Sequence, residues 1–567
     1  MNYLINTFMI PKSNKHLLAF IALSLLLISC GTPAIVSTPI ENIDTIPLKS
    51  ITLSEAQLQN WNTADLVLDT IPGMSVNRAY SDLIKDKKGQ TVIVGVIDSG
   101  VDIEHEDLDD VIWTNPNEIK GNGKDDDQNG YIDDIHGWNF LGDAENENLE
   151  YTRIIKKLKP KYAGKNLASV SESDKEEYQT YIQAKAEYEE KYQEAIANKN
   201  QYEQILGMAT PSHGAVSKAL GKEDYTLKEL MAVKADTPTM QQNIAFLSQM
   251  YGFLENGEKI PDLIKNLNEG IEHFDEQLKY DINLDFDGRK IVGDNVDDIN
   301  DVNYGNNNVM GPNPEKKGIK HGTHVSGIIA AERNNGKGVN GIAQNVKIMA
   351  IRAVPNGDEY DKDIALAIRY AVNNGAKVIN ASFGKYYSTH SDWVRDAIKY
   401  AGEKDVLIVN AAGNEGIDLD QKEVYPNDQT STLQEVSDNF ITIGALNYEY
   451  GSNLVADFSN YGKSNVDAFA PGVKIWATTP NNTYEYLQGT SMAAPAVSGV
   501  AAMIRSYYPT LKASEVKQIL MTSGLTTNAT VVVGGEPTST NKFTELSKSG
   551  KMVNLYNALI LADKMSK

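Results

Sequence analysis

Runs of consecutive apolar and β-branched residues recur along the chain and predict buried strands. The first covers residues 92–97 (VIVGVI), and the others are residues 346–354, 377–382 and 406–411. Because nearly every position in these runs is apolar, both faces of each strand must be buried, as is typical of parallel sheets. Helical periodicity over residues 363–373 and 392–401 separates the runs. This alternation predicts an α/β fold, an open and mostly parallel sheet with helices on both faces.

Residues 150–280 interrupt this alternation and predict a mostly helical insertion. The segment is polar, and its apolar positions recur at spacings near three, four and seven, which would place them on one face of a long helix. Two interpretations remain open: a helical hairpin that packs this face on itself or on the sheet, and an arm that binds a partner or restricts substrates. The face consists of Tyr178, Tyr181, Ile182, Tyr188, Tyr192, Ala195, Ile196, Tyr202, Ile205 and Leu206.

The N-terminus carries an export pattern. An apolar stretch over residues 17–28 follows Lys12 and Lys15, and it is too short to span a bilayer. The tetrapeptide LISC that ends at Cys30 resembles the lipobox of bacterial lipoproteins. It implies a signal peptide over residues 1–29, acylation of the Cys30 thiol and a tether over residues 30–70. The alternative is an ordinary signal peptide. The lipoprotein form predicts an exported protein that is lipid-anchored in the bacterial cell envelope and faces the periplasm or the cell exterior.

Charge and cysteine content exclude several classes of partner and of structure. The 567 residues include 53 Lys and Arg against 76 Asp and Glu, which gives a net charge of −23. A nucleic acid or an anionic membrane surface needs a basic face, so we expect contact with a membrane only through the lipid. Cys30 is the only cysteine, which excludes internal disulfides and multi-cysteine zinc sites.

Three candidate reactive residues stand at predicted strand ends or helix starts. Asp98 follows the first strand, His321 begins a small and apolar helical stretch, and Ser491 lies between Gly489 and an apolar helix. Glycine permits an unusual turn, and the first turn of a helix presents backbone N–H groups to a developing oxyanion. Each residue taken singly has an alternative: Asp98 as a helix cap, His321 with His324 as metal ligands, and Ser491 as an N-cap.

Four motifs in chain order resemble the signatures of the subtilases, the subtilisin-like serine peptidases. They are VIDSGVD at residues 96–102, HGTHVSG at 321–327, NAAGNEG at 410–416 and GTSMAAP at 489–495. The likeness runs over residues 71–562 apart from the insertion, and it implies a subtilisin-like peptidase domain that takes extended polypeptides as substrates.

The resemblance also implies a role for each site residue. Ser491 would be the nucleophile, His321 the general base, Asp98 the residue that orients His321, and Asn414 a donor of the oxyanion hole. Ser382, Phe383 and Gly384 would pair with the substrate backbone. Ala411, Ala412 and Gly413 would wall the primary specificity pocket. Small walls favour bulky apolar side chains unless Phe383 and the insertion narrow the pocket.

An acidic loop over residues 125–134 is similar to part of an EF-hand calcium loop. The candidate ligands are Asp125, Asp127, Asn129, the carbonyl of Tyr131, and Asp133. Position twelve is His136 instead of glutamate, so a structural calcium ion would need another carboxylate. A solvated acidic turn is the alternative. A second acidic stretch over residues 285–301 lacks such spacing and predicts a solvated loop.

The sequence departs from compact subtilases in two ways. Asp98 and His321 are 223 positions apart (321 − 98), and only about forty residues separate Cys30 from the start of the likeness. The second departure predicts that no large folding-assistant propeptide is removed. Three functions remain: a serine endopeptidase, a peptide ligase or leader-processing subtilase, and an inactive subtilase-like surface binding protein.

Overall fold

The structure is a computed structural model and describes residues 37–47, 49, 52–254, 258–430 and 434–567. Cys30, the predicted signal peptide and the first residues of the predicted tether lie outside the described residues.

A seven-stranded parallel sheet forms the centre of the molecule. Its strands lie in the order β2-β3-β1-β4-β5-β6-β7. β1 pairs in parallel with β3 on one side and with β4 on the other, so that Val94 lies opposite both Ile348 and Val378. The strands of this sheet are β1 Val92–Asp98, β2 Gly137–Asn139, β3 Val346–Arg352, β4 Val378–Ala381, β5 Leu407–Ala411, β6 Phe440–Leu446 and β7 Ala468–Pro471. Two antiparallel hairpins are formed by β8 Ile475–Thr479 with β9 Thr483–Leu487, and by β10 Thr530–Val532 with β11 Thr540–Lys542.

The sheet is buried on both faces, which confirms the predicted fold class. In β1, Val94 and Val96 belong to one apolar cluster and Ile97 belongs to the other. Successive side chains of a strand point to opposite faces, so a continuous apolar run is required. The α-helices are α1 Glu55–Leu58, α2 Leu66–Asp69, α3 Val76–Ala79, α4 Glu150–Tyr162, α5 Lys175–Leu220, α6 Leu227–Met231, α7 Pro238–Met250, α8 Ile260–Glu276, α9 Lys320–Ala330, α10 Asp361–Asn373, α11 Ser391–Glu403, α12 Thr490–Tyr507, α13 Ala513–Ser523 and α14 Leu555–Met565.

Two helices carry candidate residues to the carboxyl edge of the sheet. α9 contains His321 and packs on α12 and β8, while α12 contains Ser491 and packs across β4, β5, β6 and β7. Asp98 is the last residue of β1. The strand order changes direction between β1 and β4, and in open α/β sheets ligands bind at such a switch point.

Helices α4 to α8 lie between Glu150 and Glu276. The 46-residue helix α5 packs against α4, α7 and α8. Tyr178 and Tyr181 are buried in a cluster with residues of α4, whereas Ile182 of the predicted apolar face is 42% exposed. The tyrosine face is therefore covered near its N-terminal end by the insertion itself.

Residues 37–47 and 52–70 differ from the predicted tether because several of them pack on the domain that contains the sheet. Ile40 and Ile43 are buried, and the backbone of Ile40 both donates to and accepts from the side chain of Asn557. The indole N–H of Trp61 donates to the carbonyl of Val473 at 2.9 Å. The tether was predicted from the lack of periodicity, but these short elements bury single anchor residues that produce no periodic pattern.

We therefore expect the buried side chain of Trp61 to stabilise the folded protein. Its side chain is 1% exposed, and we expect Trp61→Ala to lower the free energy of unfolding by about 3–5 kcal/mol through lost burial and a cavity. Urea unfolding followed by circular dichroism measures this change. Leu68→Ala, at a position that is 67% exposed, is the matched control. Equal stability of both variants would restore the tether interpretation.

Candidate active site

A cleft of about 700 Å³ opens at the carboxyl edge of the sheet. Asp98, His321, Asn414 and Ser491 all line it. These residues come from distant parts of the sequence, and the parallel sheet brings them together because β1 and β5 end at the same edge while α9 and α12 begin there.

Asp98 and His321 form a hydrogen-bonded pair. The Nδ1 atom of His321 lies 2.7 Å from Oδ1 of Asp98, and the same oxygen accepts the backbone N–H of Ser99 at 2.7 Å. Asp98 is 1% exposed, whereas the side chain of His321 is 39% exposed towards the cleft. Burial alone would lower the pKa of His321, but the charge of Asp98 and its hydrogen bond raise it above its usual value. Asp98 thus favours the tautomer with the proton on Nδ1, which leaves Nε2 as an acceptor.

Ser491 stands in the first turn of α12. Gly489 precedes the helix with φ 147°, a conformation that other residues rarely adopt. The hydroxyl of Ser491 donates to the carbonyl of Ser382 at 3.2 Å, and the hydroxyl of Ser382 donates to the carbonyl of Ser491 at 2.9 Å. This reciprocal pair fixes the start of α12 on the end of β4.

The side chain of Asn414 is oriented by Thr490. Its Oδ1 atom accepts the backbone N–H of Thr490 at 2.8 Å and the hydroxyl of Thr490 at 3.0 Å. The Nδ2 group therefore remains as the donor of Asn414. Thr490 was not among the predicted site residues, although its position beside Ser491 in the GTSMAAP motif could have indicated it.

His324 does not share the cleft with His321. It is fully buried, and its Nε2 atom lies 3.0 Å from the carbonyl of Ile475 and 3.1 Å from that of Glu485. Burial lowers its pKa to about 3. His324 therefore packs as a neutral side chain that donates to backbone carbonyls.

The predicted substrate-binding residues fall into two groups. Five of the six, namely Ser382, Phe383, Gly384, Ala411 and Gly413, line the cleft. Ala412 is wholly buried and is not among the residues that line the cleft; its carbonyl accepts from Asn460 at 2.9 Å. Ala411 and Ala412 both belong to the buried apolar cluster, but only Ala411 also reaches the cleft. Ala412 was therefore wrongly predicted to be a pocket wall.

The acidic loop brings together only part of the predicted ligand set. One carboxylate oxygen of Asp125, one of Asp127 and one of Glu118 all lie within 4.8 Å of one another. The EF-hand spacing did not indicate Glu118. Asp133 instead accepts backbone N–H groups from Gly121 and Gly123, both at 2.8 Å, so its oxygens organise the loop.

Asn129, another predicted ligand, also takes part in hydrogen bonds within the loop. Oδ1 of Asn129 accepts the N–H of Tyr131 at 2.8 Å. The Nδ2 group of Asn129 donates to Asp134 at 3.0 Å.

The second acidic stretch is not wholly solvated. The side chain of Asp294 is fully buried and pairs with Arg289 at 2.6 Å and with Lys362 at 2.7 Å. The prediction of a solvated loop was wrong at this position because Asp294 pairs with Arg289 of the same stretch and with Lys362, which lies far along the sequence in α10.

Sequence comparison reveals the relationships of the chain. A profile of the subtilase family matches residues 89–546. The chain belongs to the subtilase family. A thermophilic serine proteinase of Bacillus sp. (strain AK1) is 44% identical over 188 residues, which cover 33% of this chain and 42% of that protein.

Two further relatives extend the comparison. Subtilisin DY of Bacillus licheniformis is 38% identical over 37% of this subtilase and 73% of its own length. The cell wall-associated protease of Bacillus subtilis (strain 168) is 35% identical over 38% of this subtilase, but the match spans only 22% of that protein. In the described residues of this subtilase, no helix has the length and apolar character needed to cross a membrane.

Proposed function

We propose that this subtilase is a serine endopeptidase that hydrolyses extended polypeptides through an acyl-enzyme. The observation that carries the proposal is the 2.7 Å contact between His321 Nδ1 and Asp98 Oδ1 in the cleft that Ser491 and Asn414 also line. This arrangement holds the imidazole with Nε2 free to accept a proton, as the chemistry requires.

The reaction proceeds in two halves. The hydroxyl of Ser491 leaves the Ser382 carbonyl, gives its proton to His321 and attacks the scissile carbonyl carbon. His321 passes the proton to the departing amine, and the C–N bond breaks. Water then loses a proton to His321, attacks the ester and releases the carboxylic acid with the proton returned to Ser491. Asp98 stabilises the imidazolium in each half.

Phe383 and Gly384 support the polypeptide substrate class. The described residues provide no backbone hydrogen-bond partner for either of them, whereas Lys385, the next residue, pairs with Tyr425 in both directions. Two unpaired backbone positions at the edge of a cleft suit the addition of an extended peptide as a further strand.

The function is tested with the purified chain and a set of unstructured peptides. We expect internal peptide bonds to be cleaved with one water added per cut, and a fluorophosphonate to stop the cleavage. Mass spectrometry of the products measures both. Removal of terminal residues only, or cleavage that is insensitive to the fluorophosphonate, would contradict the proposal.

Asn414 should act on the transition state. We expect Asn414→Leu to lower kcat by about 10²–10³-fold with KM almost unchanged, because the Nδ2 donor meets the oxygen only after it becomes negative. Thr490→Val should lower kcat by about tenfold, since the backbone N–H of Thr490 still holds Oδ1 of Asn414. Steady-state kinetics on one peptide separates the two constants. A rise in KM at unchanged kcat would place Asn414 in ground-state binding.

We further propose that a calcium ion binds between Glu118, Asp125 and Asp127. Support comes from their close oxygens and from Glu118 Oε2, which is buried without a hydrogen-bond partner among the described residues. Carboxylate oxygens are the ligands that calcium prefers. When bound, the ion would supply positive charge that holds the loop together, and it takes no part in the reaction.

Chelation tests the calcium site. Saturating calcium should stabilise the fold by about 3 kcal/mol, so excess EGTA should lower Tm, and Asp127→Asn should remove this difference. Asp285→Asn, at an exposed position, is the control and should retain it. Calorimetry measures Tm, and an unchanged Tm of the wild type in EGTA would refute the site.

Export with a lipid on Cys30 also stays a proposal, supported by the LISC sequence and the apolar stretch before it. Metabolic labelling with a fatty acid tests it, and Cys30→Ala should abolish the label.

A further inference from the structure

The segment that follows the substrate-pairing residues is anchored by a buried cation. The side chain of Lys385 is 1% exposed, and its Nζ atom lies 2.9 Å from Oε2 of Glu150 and 3.0 Å from Oδ1 of Asp361. It also donates to the carbonyl of Glu359 at 2.9 Å. All three of its protons are thus used, and Lys385 is held in one position.

Glu150 is the first residue of α4 and hence of the helical insertion. Its backbone N–H donates to Asp358 at 2.7 Å, and its carboxylate also pairs with Arg153. Arg153 donates to the carbonyls of Asp358 at 2.8 Å and Glu359 at 3.0 Å. The insertion therefore contacts both the segment after β4 and the loop after β3.

Tyr387 provides a second link to the insertion. Its hydroxyl donates to Glu187 of α5 at 2.7 Å, and its ring packs edge-on against Tyr151 of α4. The alternate residues Gly384 and Tyr386 line the cleft. Gly384 directly precedes Lys385, and Tyr386 lies between Lys385 and Tyr387, so fixing residues 385 and 387 restricts the positions that residues 384 and 386 can take.

We propose that Glu150, Lys385 and Tyr387 are positioning residues, through which the helical insertion holds the substrate-pairing segment in the geometry that binds an extended peptide. This inference rests on the proposed peptidase function. It assigns the insertion a role within the substrate site, where it acts on peptide binding and leaves the chemistry at Ser491 to the triad.

Glu150 and Lys385 both remain charged at neutral pH. Burial alone would raise the pKa of Glu150, but Arg153 and Lys385 lower it to about 2. The same neighbourhood raises the pKa of Lys385 despite its burial. A buried pair with several hydrogen bonds defines one geometry, and removal of one partner leaves the other charge uncompensated.

The test compares a long and a short substrate. We expect Lys385→Met and Glu150→Gln to raise KM for an extended hexapeptide by about ten- to hundredfold, since displacement of a binding segment by about 1 Å can have effects of this size. The rate of labelling by a small fluorophosphonate and the hydrolysis of a simple acetate ester should stay within about twofold, because neither occupies the pairing segment. Tyr387→Phe should raise the hexapeptide KM by about threefold through loss of one hydrogen bond.

Lys517→Met is the matched control. Lys517 is also buried and pairs with Glu435 at 3.0 Å, but it is not among the residues that line the cleft. It should lower Tm without raising KM. If Lys385→Met or Glu150→Gln does not fold, Tyr387→Phe replaces them in the test. This variant keeps the ring that packs on Tyr151 and loses only the hydroxyl that donates to Glu187.

Each outcome decides the proposal. An unchanged hexapeptide KM in the folded variants would overturn it, and so would an equal loss on hexapeptide and ester. Absence of labelling in the wild type would instead refute the proposed peptidase function, so the two failures are distinguishable.

Discussion

Replacement of Ser491 by alanine should lower kcat for peptide hydrolysis by about 10⁶-fold, a magnitude carried over from subtilisin. Without the hydroxyl no acyl-enzyme forms, and only water positioned in the cleft remains as a nucleophile. The loss should fall on kcat, because Ser491 contributes its bond only as the reaction proceeds. Steady-state hydrolysis of an internally quenched peptide measures it.

Two further variants accompany Ser491→Ala: a control at Ser498, and a double variant that tests whether Ser491 and His321 act together. Ser498 lies in the same helix, and its hydroxyl donates to Asn380 at 2.9 Å. Ser498 is buried and does not line the cleft, so Ser498→Ala should retain most of kcat. The double variant of Ser491 and His321 should be no slower than either single variant, since the two act as one unit. Independent, multiplicative losses would contradict the shared mechanism.

Asp98→Asn should lower kcat by about 10⁴-fold. The Oδ1 atom of Asp98 accepts from both Ser99 and His321 at 2.7 Å. An amide in its place can turn its NH₂ group to His321 and favour the wrong tautomer. Its neutral side chain also leaves the imidazolium without a counter-charge. The variant should fold, because the change preserves shape, and the Tm should confirm this.

The same substitution should move the pH profile. Hydrolysis needs neutral His321, so the acid limb of kcat/KM follows its pKa. In the wild type Asp98 raises this pKa above the usual value of 6.5, and activity should appear only as the pH rises past that value. Asp98→Asn removes the raising effect and leaves burial, which lowers the pKa, so the limb should shift to lower pH. A limb at the same pH in both proteins would show that Asp98 does not act on His321.

The sheet could be predicted from the sequence because it depends on local patterns, whereas the roles of Asp98, His321, Asn414 and Ser491 were implied by motifs that resemble those of the subtilases. Continuous apolar runs are required of strands buried on both faces, and β1 was predicted to within one residue of Val92–Asp98. The turn at Gly489 and the helix after it likewise follow from short-range chemistry. β6, at Phe440–Leu446, is an apolar run of the same kind that was overlooked.

The remaining features depend on contacts between distant residues. The link between Glu150 and Lys385 joins positions 235 apart, and nothing near either residue indicates its partner. The hydrogen bond of the buried Trp61 to Val473, 412 positions away, is of the same kind. Such contacts follow from the path of the chain through the whole fold, which single-sequence periodicity does not contain.

The proposed function requires that His321 and Asp98 activate Ser491 as a nucleophile. It is tested most directly by treating the protein with a fluorophosphonate and locating the adduct by tandem mass spectrometry. We predict one adduct per chain, on Ser491, formed rapidly in the wild type and far more slowly in Asp98→Asn. An adduct on another residue, or equal rates in the two proteins, would contradict the activation of Ser491 by His321 and Asp98.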